Sequence, residues 1–127
     1  MLSVRFEKPY SVCYVEREIP KIKENEVLLK ILCVGVCGTD VQVYVGKNKF
    51  MKFPVVPFHE GVGEIVKIGS QVKEFEVGDK VVVEPILHCG QCRPCLIGRY
   101  NACDNFACLG VQVDGLGSEY FAIDRKS

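Results

Sequence analysis

The chain has 127 residues, 48% of them hydrophobic, and its 16 basic and 16 acidic side chains cancel to zero net charge. That length suits one domain with a real core, and the charge balance removes the electrostatic footprint of a nucleic-acid or anionic-membrane binder. No apolar run approaches the ~18 residues a membrane span needs and the first residues lack a signal-peptide pattern, so a cytoplasmic protein without nucleic-acid or membrane partners is expected.

In chain order, residues 3–7 and 12–19 are short β-rich runs with a turn at Lys8, Pro9 and Tyr10 between them. A second turn, around Pro20 and residues 23–25, leads into residues 27–36. This apolar run carries one charge, Lys30, and reads as a buried strand. Residues 39–44 suit one or two helical turns, with Thr39 as N-cap and Gln42 as its capping-box partner. Pro54 and Pro57 make residues 53–57 rigid and extended. Residues 62–68 form a further strand, and Gly61, Gly63 and Gly69 around it signal tight turns or close backbone approach. A turn at 77–80, a strand at 81–84, a cysteine-rich lobe, a loop spaced by Gly110, Gly115 and Gly117, and a strand at 118–123 complete the reading. The pattern is mainly β with a few short helices. It contains no strand, G-x-G-x-x-G, helix unit, so these residues carry no nucleotide-binding fold.

Eight cysteines are many for a reducing compartment, where disulfides are rare and clustered thiols read as metal ligands or catalytic groups. Cys89, Cys92, Cys95 and Cys103 fall within fifteen residues. Four thiolates at ~2.3 Å close a tetrahedral zinc site with no open position, and Gly90 eases the bend between the first two. A structural zinc is the expected occupant. A pair of disulfides is disfavoured by the compartment, and a rubredoxin-like iron site by the absence of two separated cysteine pairs. Cys37, Asp40, His59 and Glu60 are a second, scattered set. A thiolate, an imidazole and a carboxylate suit a zinc with one open position, with Asp40 orienting His59 through its other ring nitrogen. On spacing alone, a hydrogen-bonded structural histidine and a small core cysteine are the commoner reading. His88 reads as a surface residue of the cysteine lobe. Cys13, Cys33 and Cys108 read as packing residues; Cys33 shares strand parity with Leu29 and Ile31.

Residues 34–40 (Val-Gly-Val-Cys-Gly-Thr-Asp), 59–66 (His-Glu-Gly-Val-Gly-Glu-Ile-Val), 77–81 (Val-Gly-Asp-Lys-Val) and the four-cysteine lobe together resemble the zinc-dependent medium-chain dehydrogenases. They fall in that family's order and spacing over essentially the whole chain. The Cys-Gly-Thr-Asp segment is similar to the polyol and threonine dehydrogenase branch. The resemblance implies a GroES-like, partly open β-barrel spanning residues 1–127, with a structural zinc lobe at about 88–108. It carries Cys37 and His59 over as catalytic zinc ligands and Glu60 as a neighbouring or alternating ligand. Thr39 carries over as the residue that hydrogen-bonds the substrate hydroxyl and takes its proton. It further implies a small alcohol or polyol substrate, NAD or NADP as hydride acceptor, and a homo-oligomeric full-length enzyme.

Three departures accompany it. Gln42 stands where many members carry a relay histidine, and an amide takes up no proton near neutral pH. Phe58 replaces the glycine usual before His-Glu, which would reshape the pocket wall. The family's cofactor domain and the later ligand that completes the catalytic zinc shell are not within these residues. The expectation is therefore a catalytic-domain fragment of a longer dehydrogenase, inactive alone. A stand-alone zinc-binding or interaction module is the alternative, which the retained Cys37, Thr39 and His59 disfavour. A co-chaperonin-like assembly role would rest on fold analogy alone.

Overall fold

The computed structural model describes residues 1–127 and is built almost wholly from antiparallel strands. Strand β1 (Leu2–Lys8) turns at Pro9 and Tyr10 into β2 (Ser11–Glu16), forming a two-stranded sheet. Strand β3 (Glu26–Gly35) leads into helix α1 (Gly38–Tyr44), and an extended stretch then reaches β4 (Glu60–Ile68). With β5 (Lys80–Val82) and β8 (Tyr120–Asp124), these form a four-stranded sheet in the order β5-β4-β3-β8. Strands β6 (Ile86–Leu87) and β7 (Ala107–Cys108) pair at the base of the cysteine lobe. The lobe itself holds helix α2 (Arg93–Leu96) and a 3₁₀ turn over Tyr100–Ala102. Isolated bridges from Ser3 to Ser118 and from Phe6 to Val55 tie the β1–β2 hairpin to the rest, giving a GroES-like, partly wrapped arrangement.

Two apolar clusters hold these layers together. Val27, Leu29, Ile65, Val72, Val83, Leu109, Leu116 and Ile123 pack under the large sheet. Phe6, Val43, Val55 and Val111 fill the space between β1 and α1. Each fully buried aliphatic side chain of this kind contributes about 1.5–3 kcal/mol relative to exposure. The central strand β3 is buried only in its first half. Its pairing with β4 shifts register between Ile31 and Cys33, an extra residue on β3 against one on β4. Such a bulge reverses the side-chain alternation beyond it. Cys33 is therefore exposed, whereas strand parity with Leu29 predicted a packing residue.

The extended stretch before β4 ends in an unusual backbone turn. Phe58 has φ 75°, in the left-handed region, which costs a bulky L-residue roughly 1–3 kcal/mol. The loop carrying Gly110 and Gly115 closes over it: the Leu116 N–H donates to the Phe58 carbonyl at 2.8 Å. A Cβ on Gly115 would lie 2.0 Å from that carbonyl oxygen. Gly115→Ala should therefore destabilise the domain by about 3 kcal/mol or more, at the upper end of overpacking effects. Urea denaturation would measure it; a loss below about 1 kcal/mol would show that the loop gives way without cost.

Candidate metal centres

Two groups of potential ligands converge. In the lobe, the ligand atoms of Cys89, Cys92, Cys95 and Cys103 all lie within 4.8 Å of one another. Short turns position them: Pro94 sits in the first turn of α2, whose N-cap is Cys92, and the 3₁₀ turn delivers Cys103. The Cys103 sulfur is 3.6 Å from that of Cys89 and 3.9 Å from that of Cys92. A tetrahedron with metal–sulfur bonds of ~2.3 Å has edges of about 3.8 Å, so the donor set fits one tetrahedral ion. All eight cysteines are unbonded to one another in the structure. Backbone N–H groups aim at the sulfurs, from Cys89 and Asn105 to Cys103 and from Cys92 to Cys89. The Cys89 thiol is pulled down to about 6, chiefly by the backbone amides of Gln91 and Cys92. Burial pushes Cys95 up to about 12. Only a cation between the sulfurs makes four thiolates favourable together. His88 is half-buried, its ring stacked on Tyr100 with centroids 4.4 Å apart, a packing role that its polarity did not suggest.

The second group is Cys37, Asp40 and His59. Cys37 follows β3, has extended backbone and caps α1: its sulfur accepts from the Thr39 N–H at 3.2 Å. The Asp40 carboxylate accepts from the Cys37 N–H at 2.9 Å, completing the capping box. Thr39 and Gln42, expected as the cap pair, are not it. Thr39 already has helical backbone one residue inside α1, and the extended residue with a free side-chain acceptor is Cys37. Gln42 is exposed on the second turn.

Asp40 is 2% exposed and holds the site together. Its Oδ1 accepts from the Phe58 N–H at 3.2 Å and lies 3.6 Å from Nδ1 of His59. That separation is too long for a hydrogen bond, and buried Nδ1 has no other partner. On the other side of the ring, Nε2 is 3.1 Å from the Cys37 sulfur. The tautomer with its proton on Nδ1, toward Asp40, leaves the Nε2 lone pair and a Cys37 thiolate facing one point, as a cation site requires. An orphaned ring nitrogen beside a buried carboxylate is what a small inward shift of Asp40 or His59 would satisfy.

Glu60 does not join this group. It opens β4 opposite Gly35, is exposed, and its carboxylate lies across Gly35, where a Cβ would be 2.7 Å from Oε2. His59 and Glu60 open on a cleft of about 420 Å³ that Cys33, Val62 and Glu84 also line. Phe58, expected in the pocket wall, is absent from this cleft. With its left-handed backbone, its ring packs instead against Phe6. Beneath the site, burial raises the Cys108 thiol, and its Sγ lies 3.5 Å from the Leu109 carbonyl, an unreactive packing role.

The model of the alcohol dehydrogenase GroES-like domain matches residues 23–127. L-threonine 3-dehydrogenase of Caldanaerobacter subterraneus is 43% identical over 117 residues, covering 89% of this chain and 33% of that protein. The crystal structure of the alcohol dehydrogenase RspB from E. coli CFT073, complexed with NADH, superposes with TM-score 0.90 at 41% identity. It is matched over 99% of this chain and 36% of its own. Galactitol-1-phosphate dehydrogenase from Escherichia coli gives TM-score 0.91 at 36% identity, with 99% and 36% covered. The chain spans little more than a third of the length of these relatives. With the fold, the four-cysteine lobe and the matched domain in agreement, the chain belongs to the zinc-type, medium-chain alcohol dehydrogenase family, whose GroES-like domain it carries.

Proposed function

We propose that residues 1–127 are the catalytic-domain portion of an oxidoreductase that moves hydride between a small alcohol or polyol and NAD or NADP, with the nucleotide held by a domain outside these residues. The observation that carries this reading is the meeting of Cys37 sulfur and His59 Nε2 at 3.1 Å, at the one end of the antiparallel β3–β4 pair where Gly35 faces Glu60, with His59 on the wall of an open cleft. Cys37 and His59 would hold a catalytic zinc; Glu60, laid over Gly35 and lining the same cleft as His59, would join as an alternating ligand only by turning its side chain inward. Cys89, Cys92, Cys95 and Cys103 would hold a structural zinc in the lobe at about 88–108. When bound, the catalytic zinc supplies a Lewis acid that acidifies the substrate hydroxyl, and the nicotinamide supplies the hydride acceptor.

The chain's own residues do the rest. A small inward shift of Asp40 onto Nδ1, now 3.6 Å away, would hold the His59 ring in the tautomer whose Nε2 is free. Thr39, close to Cys37 on the first turn of α1, would hydrogen-bond the substrate hydroxyl and relay its proton, Oγ1 taking it as the threonine's own hydroxyl proton passes to water. Gln42 one turn on can orient a water but hold no proton, so the proton leaves to solvent. A cytoplasmic location and a homo-oligomeric full-length enzyme belong to the same reading; no helix is long and apolar enough to cross a membrane.

The test joins residues 1–127 to the cofactor domain of an RspB-like dehydrogenase and assays NAD and NADP with secondary alcohols and polyols. The chimera should turn over and Cys37→Ser should abolish turnover, while residues 1–127 alone should give none. Zinc-dependent turnover by residues 1–127 alone would show a complete enzyme. An inactive chimera carrying both zinc ions would favour a binding module that kept the fold without the chemistry.

A further inference from the structure

We propose that Phe58 is a positioning residue for His59: its ring, anchored behind the metal cluster, holds the left-handed turn that aims the Phe58 amide at Asp40. This rests on the reading that Cys37 and His59 hold a metal. Three observations carry it. First, the Phe58 N–H donates to Asp40 Oδ1, the same oxygen that faces His59 Nδ1, so the turn and the imidazole share one carboxylate. A rotation about φ of Phe58 turns the plane of that N–H relative to His59, so the bond to Asp40 and the position of the imidazole could not both be kept.

Second, the ring points away from the chemistry. It packs edge-on to Phe6 with centroids 6.4 Å apart, and with Val4, Ile31, Val34 and Leu116 it lines a groove of about 290 Å³ distinct from the His59 cleft. Third, the turn is clamped from outside. The Phe58 carbonyl accepts from Leu116, and a Cβ on Gly110 would meet the Phe58 backbone at 2.8 Å. A glycine would enter the left-handed region freely. Phenylalanine does not, so here the ring's contacts supply what glycine's conformational freedom would otherwise supply.

Phe58→Ala and Phe58→Gly separate the two contributions, because both lose the ring and only glycine keeps easy access to φ 75°. The probe is cobalt(II), titrated into the whole chain, with the four-sulfur site as an internal reference for correct folding. We expect wild type to take up cobalt at both sites. Phe58→Gly should keep affinity at the Cys37–His59 site within about threefold, and Phe58→Ala should weaken it about tenfold, the scale on which outer partners of metal ligands act. The sulfur-to-cobalt bands of the cysteine lobe should not change. Equal affinities for the alanine and glycine variants would overturn the proposal. If wild type bound cobalt only in the lobe, the second metal site would be wrong, and the His59 ring nitrogen shifts would then decide. A dominant Nδ1–H tautomer in wild type and Phe58→Gly, mixed in Phe58→Ala, supports positioning by Phe58. Identical tautomer populations in all three sink it.

Discussion

Replacing Cys95 by serine should release the metal from the cysteine lobe and unfold the lobe while leaving the large sheet folded. The lobe has almost nothing else to hold it. Helix α2 is four residues and the 3₁₀ turn three, far below the length at which a helix persists unaided. Leu96 and Ile97 are 73% and 63% exposed, whereas Cys95 and Cys103 are 4% and 6% exposed, so the lobe's interior is its sulfurs. Zinc on four thiolates supplies on the order of 10–16 kcal/mol in small peptides, comparable to the whole stability of a typical domain. Losing one ligand removes most of that and leaves three thiols facing each other. Metal analysis should fall by one zinc per chain. Amide exchange should lose protection at the Cys92, Leu96 and Cys103 N–H groups and retain it through the β3–β4 ladder. A variant that kept its full zinc content would mean that Cys95 is no ligand.

Asp40→Ala should destabilise the main body by about 3–6 kcal/mol, since each of two N–H groups loses a charged acceptor worth about 1.5–3 kcal/mol. The carboxylate is 2% exposed and accepts from Cys37, three positions before it, and from Phe58, 18 positions after it. Water cannot replace it at the site without opening the β4 approach. The same change removes the group facing His59 Nδ1, so cobalt uptake at Cys37 and His59 should fall at least tenfold while the lobe keeps its metal. Asp40→Asn should fall between, because one carboxamide oxygen can serve one N–H but the NH₂ group repels the other. Chemical denaturation checks the first effect and cobalt titration the second. A loss under about 1 kcal/mol with normal cobalt uptake would show that Asp40 only lines the cap.

Much of this was legible along the chain because it depends on neighbours in sequence. Two-residue spacers put Cys89, Cys92 and Cys95 in reach of a single ion, and seven intervening residues return Cys103 to them; the structure brings all four together. Apolar runs broken by glycine and proline gave strands within a residue or two of β1, β3 and β4. The two-residue strands β6 and β7 were not legible, because so short a pair has no periodicity of its own and forms only where the lobe closes.

The sequence by itself determined the donor types, the four-sulfur spacing and the β-rich character, since ligand chemistry and local propensity need no distant partner. Only the tertiary structure decided which long-range groups meet. It placed Cys37 opposite His59 across the β3–β4 pair, made Cys37 rather than Thr39 the cap of α1, and laid Glu60 over Gly35, apart from that group. It exposed Cys33 through a bulge and sent the Phe58 ring away from the cleft through a left-handed turn. The physical reason is the same in each case. A side chain's direction depends on register, bulges and φ, and these are set by contacts between strands far apart in the chain, which residue order does not display.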